Sequence, residues 1–421
     1  MGTLHREMWV SSGGGSSRRQ RASGVYWWFL PTRLNDLVLL LTDDVVADVS
    51  RAERSLAGIR AADISNTEGI ARLLLRSESV ASSHIEGLVI GSNRILRAEL
   101  REAEPDNRYY DSKAASVLGN IHAMEKAVEL AASAPLLTQE TICQIHEALC
   151  KGTSIEQWGG AIRPMQNWVG GMRSAPLSAD YVPPAPAEVP ALLEDLCAYA
   201  NRQDISPVLQ AAMCHAQFES IHPFVDGNGR VGRALIQICL IRRGAVGSVM
   251  PPVSLVLATQ KDDYFAALHS LQHATDADSE HEAVNDWVSC FAAAVSQACV
   301  DMGEIVSDLR SLEDGWRLRL GRVRARSTVD LLLKECQGMP YFTIETMVRA
   351  TGRSKQAVNE AVRRLEDAGV VRQTNRGKRS RVFEATEVLA VFNMVERRLA
   401  SPLRDTAVAA PARAVPNRYE T

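Results

Sequence analysis

The sequence has eight cysteines and no C-x-x-C pair. Most of Cys143, Cys150, Cys197, Cys214, Cys239, Cys290, Cys299 and Cys336 sit in helix-like apolar runs. That is the pattern of small buried hydrophobes in a reducing cytosol, and it excludes a disulfide or zinc framework. The net charge is only −3, so nucleic-acid binding by the whole surface is excluded and any such binding needs a local patch. No apolar run is long enough to span a bilayer. Tyr26–Leu30 follows Arg18, Arg19 and Arg21 in the manner of a signal peptide, but Pro31, Arg33, Asn35 and Asp36 break it. The expectation is a cytoplasmic protein with no membrane partner and a disordered leader over 1–24, rich in Gly and Ser at Ser12–Ser17. Internal repeats are absent and regular strand alternation is scarce.

Helical periodicity is what the chain has instead. With 46% hydrophobic and 23% charged residues in 421, it can bury a sizeable core in two or three domains of ~100–200 residues. Ile70, Leu73, Leu74, Val80, Ala81 and Ile85 mark one amphipathic helix. Leu209, Met213 and Ala216 mark another, opened by Ser206 and Pro207. Val231, Leu235, Ile238 and Cys239 mark a third, and further helices are expected over 115–132, 190–201, 262–272 and 283–312. Gly159–Ala175, with five non-helical Gly and Pro positions around Trp168 and Val169, predicts a short β-hairpin flap, followed by a Pro-rich connector over 183–190. Towards the C-terminus, Phe342–Ala350, a turn at Thr351–Gly352 and Ser354–Ala368 predict helix, turn, helix; Gly369–Phe383 predicts a two-stranded wing with its tip at Asn375–Gly377. The expected divisions are a helical region over 25–110, a core over 111–312, a linker over 313–326, a winged helix-turn-helix over 327–400 and a disordered tail over 401–421.

The densest chemistry is His222–Arg233, HPFVDGNGRVGR. Gly227, Asn228 and Gly229 can turn successive N–H groups inward as an anion-binding nest, and a helix starting near Gly229 aims its positive end at the same place. Arg230 and Arg233 share a helix face and can fork onto phosphate oxygens. Asp226 stands at the nest's edge, where a carboxylate can hold Mg²⁺ against phosphates. His222 is the group that can take a proton near neutral pH. Phe224 is read as a core plug that pins the loop. Gly227-x-Gly229-x-x-Gly232 also fits the dinucleotide fingerprint, but the preceding segment is helical and no acidic residue follows about twenty positions on, so a Rossmann reading is rejected. There is no Walker sequence.

The string resembles the signature of the Fic (Fic/Doc) family: H, P, F, any residue, D or E, G, N, G, R, two of any kind, R. Every fixed position matches. The resemblance implies a mainly α fold, a helical bundle with a β-hairpin flap, that takes ATP with Mg²⁺ and moves AMP to a Ser, Thr or Tyr hydroxyl of a protein target, itself included. By position, His222 is the general base, Asp226 the Mg²⁺ ligand, and Gly227, Asn228, Gly229, Arg230 and Arg233 the phosphate binders, with Arg233 placed for the γ-phosphate.

Ser82-Ser83-His84-Ile85-Glu86-Gly87 matches the family's inhibitory pattern, S or T, three residues, then E and G or N. Glu86 falls at a helix C-terminus, where an anion opposes the dipole by ~0.3–1 kcal/mol, so a cation is needed nearby. By resemblance that cation is Arg233, and Ser82 orients the carboxylate; this is the class II arrangement, in which some members also remove AMP. Residues 160–171 resemble the flap that pairs with the target backbone. Tyr264, in Asp262-Asp263-Tyr264-Phe265, resembles the segment closing the adenosine side, though core packing explains it equally. His269 and His273, four apart, have no third metal ligand pattern. Lys355, Gln356, Asn359, Arg363 and Arg364, with Arg372, Arg376, Lys378, Arg379 and Arg381 on the wing, offer a DNA-binding face. Dimerisation or target docking is the alternative role for that module. Another nucleotide donor, or a DNA-binding regulator with a degenerate core, are the rival functions.

Overall fold

The computed structural model describes residues 2–11, 22–61, 67–102, 111–171, 175–247, 249–374 and 381–399. The wing tip at 375–380, with Arg376, Lys378 and Arg379, and the tail 401–421 lie outside them. The chain is mainly helical and divides into two compact units, each built from three stretches.

The first unit comprises Met1–Arg54, His122–Ala245 and Lys261–Ser296. Two helices dominate it, Pro207–Ile221 and Asn228–Arg242. The first starts where expected: the Ser206 hydroxyl accepts the Leu209 N–H and Pro207 occupies the first turn, where its missing N–H costs nothing. Nearly all its residues are buried, so it is a central helix rather than an amphipathic surface one. Trp287 and Phe291 pack in this core, and the Trp287 indole donates to the Ala212 carbonyl at 3.0 Å.

Three expectations about this unit need correcting. Residues 2–9 are not a disordered leader. Gly2–Trp9 is a strand paired antiparallel with Gly24–Pro31, from Gly2 opposite Pro31 to Trp9 opposite Gly24. Aromatic packing holds it: His5 stacks on Trp28 at 4.3 Å, and Trp9 meets Trp168 edge-on at 5.5 Å. The apolar Tyr26–Leu30 run is thus strand, and the region expected to be helical from residue 25 opens with it. The flap is no regular hairpin among the described residues. Val169 forms a single bridge with Tyr181, just before the expected connector, after turns at Gly170 and Gly171 with φ +72° and +65°. The prolines at 183, 184 and 186 cannot donate to a ladder, which keeps the pairing short.

The second unit comprises Ser55–Ile121, Val246–Gln260 and Gln297–Thr421. Thr67–Ile85 is its long inner helix. Its end is a Schellman motif: Gly87 N–H bonds the His84 carbonyl at 2.9 Å and Leu88 N–H the Ser83 carbonyl at 3.0 Å, with Gly87 at φ +77°. The expected linker at 313–326 is corrected too, because Ala277–Leu320 is one helix that crosses residue 312 without a break. Trp316 explains its persistence, being fully buried with its indole N–H on Glu387 at 2.6 Å.

The C-terminal elements are Thr328–Gly338, Tyr341–Thr343, Ile344–Thr351, Lys355–Asp367, Arg372–Gln373 and Val382–Glu384. The helix–turn–helix is present, with Gly352 closing the first helix at φ +65° and Ser354 capping the second. The first starts later than expected because Tyr341–Thr343 pairs with Val382–Glu384, which also pairs with Arg372–Gln373. Several basic residues expected to grip DNA are engaged internally. Lys355 pairs with Glu345 at 2.7 Å, Arg364 donates to the Leu320 and Arg322 carbonyls, and Arg381 donates to Asn359. Among the described residues no helix is long and apolar enough to cross a membrane.

Candidate active site

The turn 222–227 joins the two central helices, and its conformation is forced at both ends. His222 closes the first helix, its N–H on the Phe218 carbonyl at 2.9 Å, with φ +49° and ψ +59°. A left-handed non-glycine residue costs ~1–2 kcal/mol, so the surroundings must hold it. Gly227 precedes the second helix at φ +83°, and a Cβ there would lie 2.6 Å from Leu149 Cδ2. Only glycine satisfies both the angle and the space. Gly232, third glycine of the rejected fingerprint, serves helix packing: a Cβ would sit 2.4 Å from Glu219 Oε1.

Between these ends the loop is pinned from within. Phe224 is fully buried, as expected, and its ring stacks on His146 at 3.7 Å. The Asn228 side chain clasps the Phe224 backbone, accepting its N–H at 2.8 Å and donating to its carbonyl at 2.9 Å. Asn228 therefore shapes the loop with its side chain. Gly227 N–H donates to Asp226 Oδ1 at 2.5 Å. The N–H groups of Asn228, Gly229 and Arg230 open the helix and have no carbonyl four residues back within it. The residues expected to form an anion site fall at the start of this helix, with the Asp226 carboxylate beside them.

Charge is concentrated around that helix start. Arg230 and Arg233 are buried, and Arg230 Nη2 lies 3.5 Å from Asp226 Oδ1. The Asp226 side chain is 61% exposed, at the mouth of the site. His222 Nδ1 faces the Glu219 carbonyl at 3.4 Å. A carbonyl only accepts, so this contact is satisfied by a proton on Nδ1.

Three residues that the sequence did not single out support the loop. His146, on Gln139–Cys150, receives the Gly160 N–H on Nδ1 at 3.1 Å and meets the Asp226 carbonyl with Nε2 at 3.0 Å. One neutral tautomer, with the proton on Nε2, satisfies both. Arg163, 1% exposed, donates from Nε to the His222 carbonyl at 2.8 Å and from Nη2 to the Pro184 and Ile221 carbonyls. Its own N–H bonds the Pro223 carbonyl, and Asn167 donates to the Phe224 carbonyl at 2.9 Å. A signal existed for His146, a polar residue among Ile142, Ile145, Leu149 and Cys150 on a helix's apolar face. Arg163 lay within the expected flap with no role attached to it.

Tyr264 is corrected. It is 1% exposed, its hydroxyl 2.9 Å from His215 Nε2 and its ring against Trp287 and Phe265. A ring so enclosed supports His215 and the core, the packing role that its helix position suggested equally. Ser82, fully buried, and Glu86 belong to the second unit, at the end of Thr67–Ile85.

Burial makes both histidines beneath the site poor bases. It pushes His146 down to about 4, opposed by the Asp226 carbonyl and reinforced by Arg230. His215 falls to about 3, from burial and then the Arg233 charge. The unfolded chain protonates them near the ordinary value of 6.5 while the native chain stays neutral. Stability thus falls as pH drops below ~6.5, by about 2 kcal/mol for each histidine at pH 5. Urea midpoints at pH 7 and pH 5 check this; equal midpoints would mean that neither histidine is held neutral.

Two family models match this chain. Residues 136–240 match the Fic/DOC family and residues 46–129 the Fic/DOC family N-terminal region. Among curated relatives, "Protein adenylyltransferase Fic" of Drosophila erecta is 34% identical over 123 residues, 28% of this chain and 21% of the relative. "Protein adenylyltransferase fic-1" of Caenorhabditis elegans is 36% identical over 113 residues, 26% and 19% respectively. The matched stretch spans about a fifth of these relatives' length. The fold resembles the crystal structure of a Fic family protein from Desulfovibrio desulfuricans G20, with TM-score 0.50 at 18% identity, covering 82% of this chain and 97% of that one.

Proposed function

We propose that this chain is an autoinhibited protein adenylyltransferase, moving AMP from ATP to a hydroxyl side chain of a target protein and of itself. The orientation of His222 carries this reading: Nδ1 is turned to a carbonyl, leaving Nε2 as base, beside an uncapped helix start with two buried arginines. In the proposed step Nε2 takes the target hydroxyl's proton. The freed oxygen bonds to the α-phosphorus, the bond from that phosphorus to the β-bridging oxygen breaks, and pyrophosphate leaves. The helix-start N–H groups with Arg230 and Arg233 hold the charge that spreads over the phosphate oxygens.

Mg²⁺ fits the site. Among the described residues no cluster of three or more His, Cys, Asp or Glu could hold a metal. Mg²⁺ on a nucleotide needs no such cage; it takes one or two carboxylates and the phosphates, and Asp226 offers an exposed carboxylate at the right edge. When bound there, Mg²⁺ neutralises phosphate charge.

Glu86, oriented by Ser82, acts as the brake, and a similar role for the same residue in removing AMP belongs to this reading. The C-terminal helix order fits a winged helix. The test is labelling of Glu86→Gly with ATP carrying label at the α- or the γ-phosphate. Protein-bound label is expected from the α position alone, at least ~10-fold above the unsubstituted chain. Label from the γ position would make the chain a kinase. An equal rate in the unsubstituted chain would remove the brake.

A further inference from the structure

The helix that carries Ser82 and Glu86 is fastened to the C-terminal elements within its own unit. Thr67–Ile85 packs directly on Thr328–Gly338. The two backbones meet at paired glycines: a Cβ on Gly69 would lie 2.5 Å from the Lys334 carbonyl oxygen, and one on Gly338 would lie 2.8 Å from Gly69 Cα. Arg72 bridges the helices, donating to Glu335 at 2.9 Å and to Glu68 on its own helix at 2.6 Å. Arg76 is 6% exposed; it donates to the Gly338 carbonyl, the orphan end of the partner helix, and to Glu99. Two residues on, the fully buried Glu78 accepts both the backbone N–H and the hydroxyl of Ser254, at 2.7 and 2.5 Å. Asn120 donates to the Ser79 carbonyl and the Ser83 hydroxyl. These ties grip the helix through residues 68–83, and Glu86 follows as its C-cap.

An unbroken helix moves as a rod. From Arg76 to Glu86 is ten residues, about 15 Å, with no proline or internal glycine to absorb a displacement. A shift of Thr328–Gly338 would therefore be carried along the helix towards Ser82 and Glu86. The Thr328–Gly338 helix belongs in turn to the module of Ile344–Thr351 and Lys355–Asp367, against which it packs.

We propose that the C-terminal module is the regulatory handle of the brake: it holds the Thr67–Ile85 helix in the inhibiting position, and loosening the Arg76–Gly338 and Arg72–Glu335 ties raises AMP transfer. This rests on Glu86 being inhibitory. It assigns the module a task inside the chain, setting the resting rate, rather than only the capture of an external partner.

The experiment uses the full chain with Arg76→Ala, Arg72→Gln, Glu86→Gly and the double variant Arg76→Ala/Glu86→Gly. Self-labelling from α-labelled ATP is measured beside amide hydrogen exchange. Arg76→Ala is expected to raise labelling about 2- to 30-fold, the range that coupling residues usually control, and to add nothing once Glu86 is glycine. Exchange across 67–85 should quicken while 207–221 stays at the parent rate. Arg72→Gln, at a part-exposed position, makes the same test with less risk to folding and a smaller rise. If Glu86→Gly activates but neither arginine variant changes labelling, the handle is overturned. Unchanged exchange across 67–85 overturns it as well. If Glu86→Gly itself fails to activate, the brake falls, and quickened exchange without added labelling then marks the ties as structural only.

Discussion

His222→Ala is expected to lower AMP transfer about 10²- to 10⁴-fold, the usual contribution of a general base, while MgATP binds within about twofold of the parent affinity. The reasoning starts from the turn. His222 reaches the site because its backbone is left-handed at the end of Pro207–Ile221, which swings the side chain out of the helix path. Its Nδ1 is directed at the Glu219 carbonyl, so Nε2 is the atom assigned as base in the proposed step. The proposed function assigns phosphate binding to other groups, the start of Asn228–Arg242 with Arg230 and Arg233, none of which changes. Alanine adopts the left-handed region reluctantly, so a loss could reflect a disturbed loop instead of a missing base. His222→Asn separates the two, since asparagine tolerates that conformation and has no basic nitrogen. Both variants should lose transfer alike and keep nucleotide affinity by calorimetry. Appreciable transfer by His222→Asn would remove His222 as the base. Lost nucleotide affinity in both would show that the loop, not the proton, was being measured.

Much of this site was legible because its chemistry is contiguous. His222, Asp226, Gly227, Asn228, Gly229, Arg230 and Arg233 lie on one turn and the helix that follows it, so local sequence suffices to bring them together. The helices were legible for the same reason: periodicity and caps are local signals, and Ser206, Gly87, Gly352 and Ser354 mark ends where the structure has them. What sequence missed is long-range. His146 sits eighty residues from the Asp226 carbonyl it meets, and Arg163 lies 59 from His222. Nothing local announces that a histidine on an apolar helix face will underpin a distant loop. The Gly2–Trp9 strand was lost similarly, because its partner lies beyond a Gly- and Ser-rich stretch and its stabilising ring contacts involve Trp28 and Trp168. Tyr264 shows the reverse error. A family position suggested a nucleotide contact, and burial against His215 decided for packing.

Arg163→Met is expected to cost about 3–5 kcal/mol of stability and to slow transfer at least ~10-fold, the second largest effect after loss of the base. The Pro207–Ile221 helix ends in carbonyls with no partner within the helix, and the loop after it must be left-handed. Arg163 answers both needs. Its guanidinium meets the Ile221 and His222 carbonyls, a cation at the negative end of a helix, and it ties them to Pro184 and Met165. Burial lowers its pKa to about 10, which still leaves it charged at neutral pH. Methionine fills much of the same volume and donates nothing, so these buried carbonyls lose their donors together and His222 loses its anchor. Arg163→Lys keeps the charge but not the planar fork; a single ammonium cannot reach carbonyls spread around a guanidinium. It should therefore fall between parent and Arg163→Met in urea midpoint, yet lie close to Arg163→Met in transfer rate. That ordering distinguishes positioning from charge alone. If Arg163→Lys transfers AMP at the parent rate, positive charge near the helix end is all that the site requires, and the fork of hydrogen bonds around His222 is incidental.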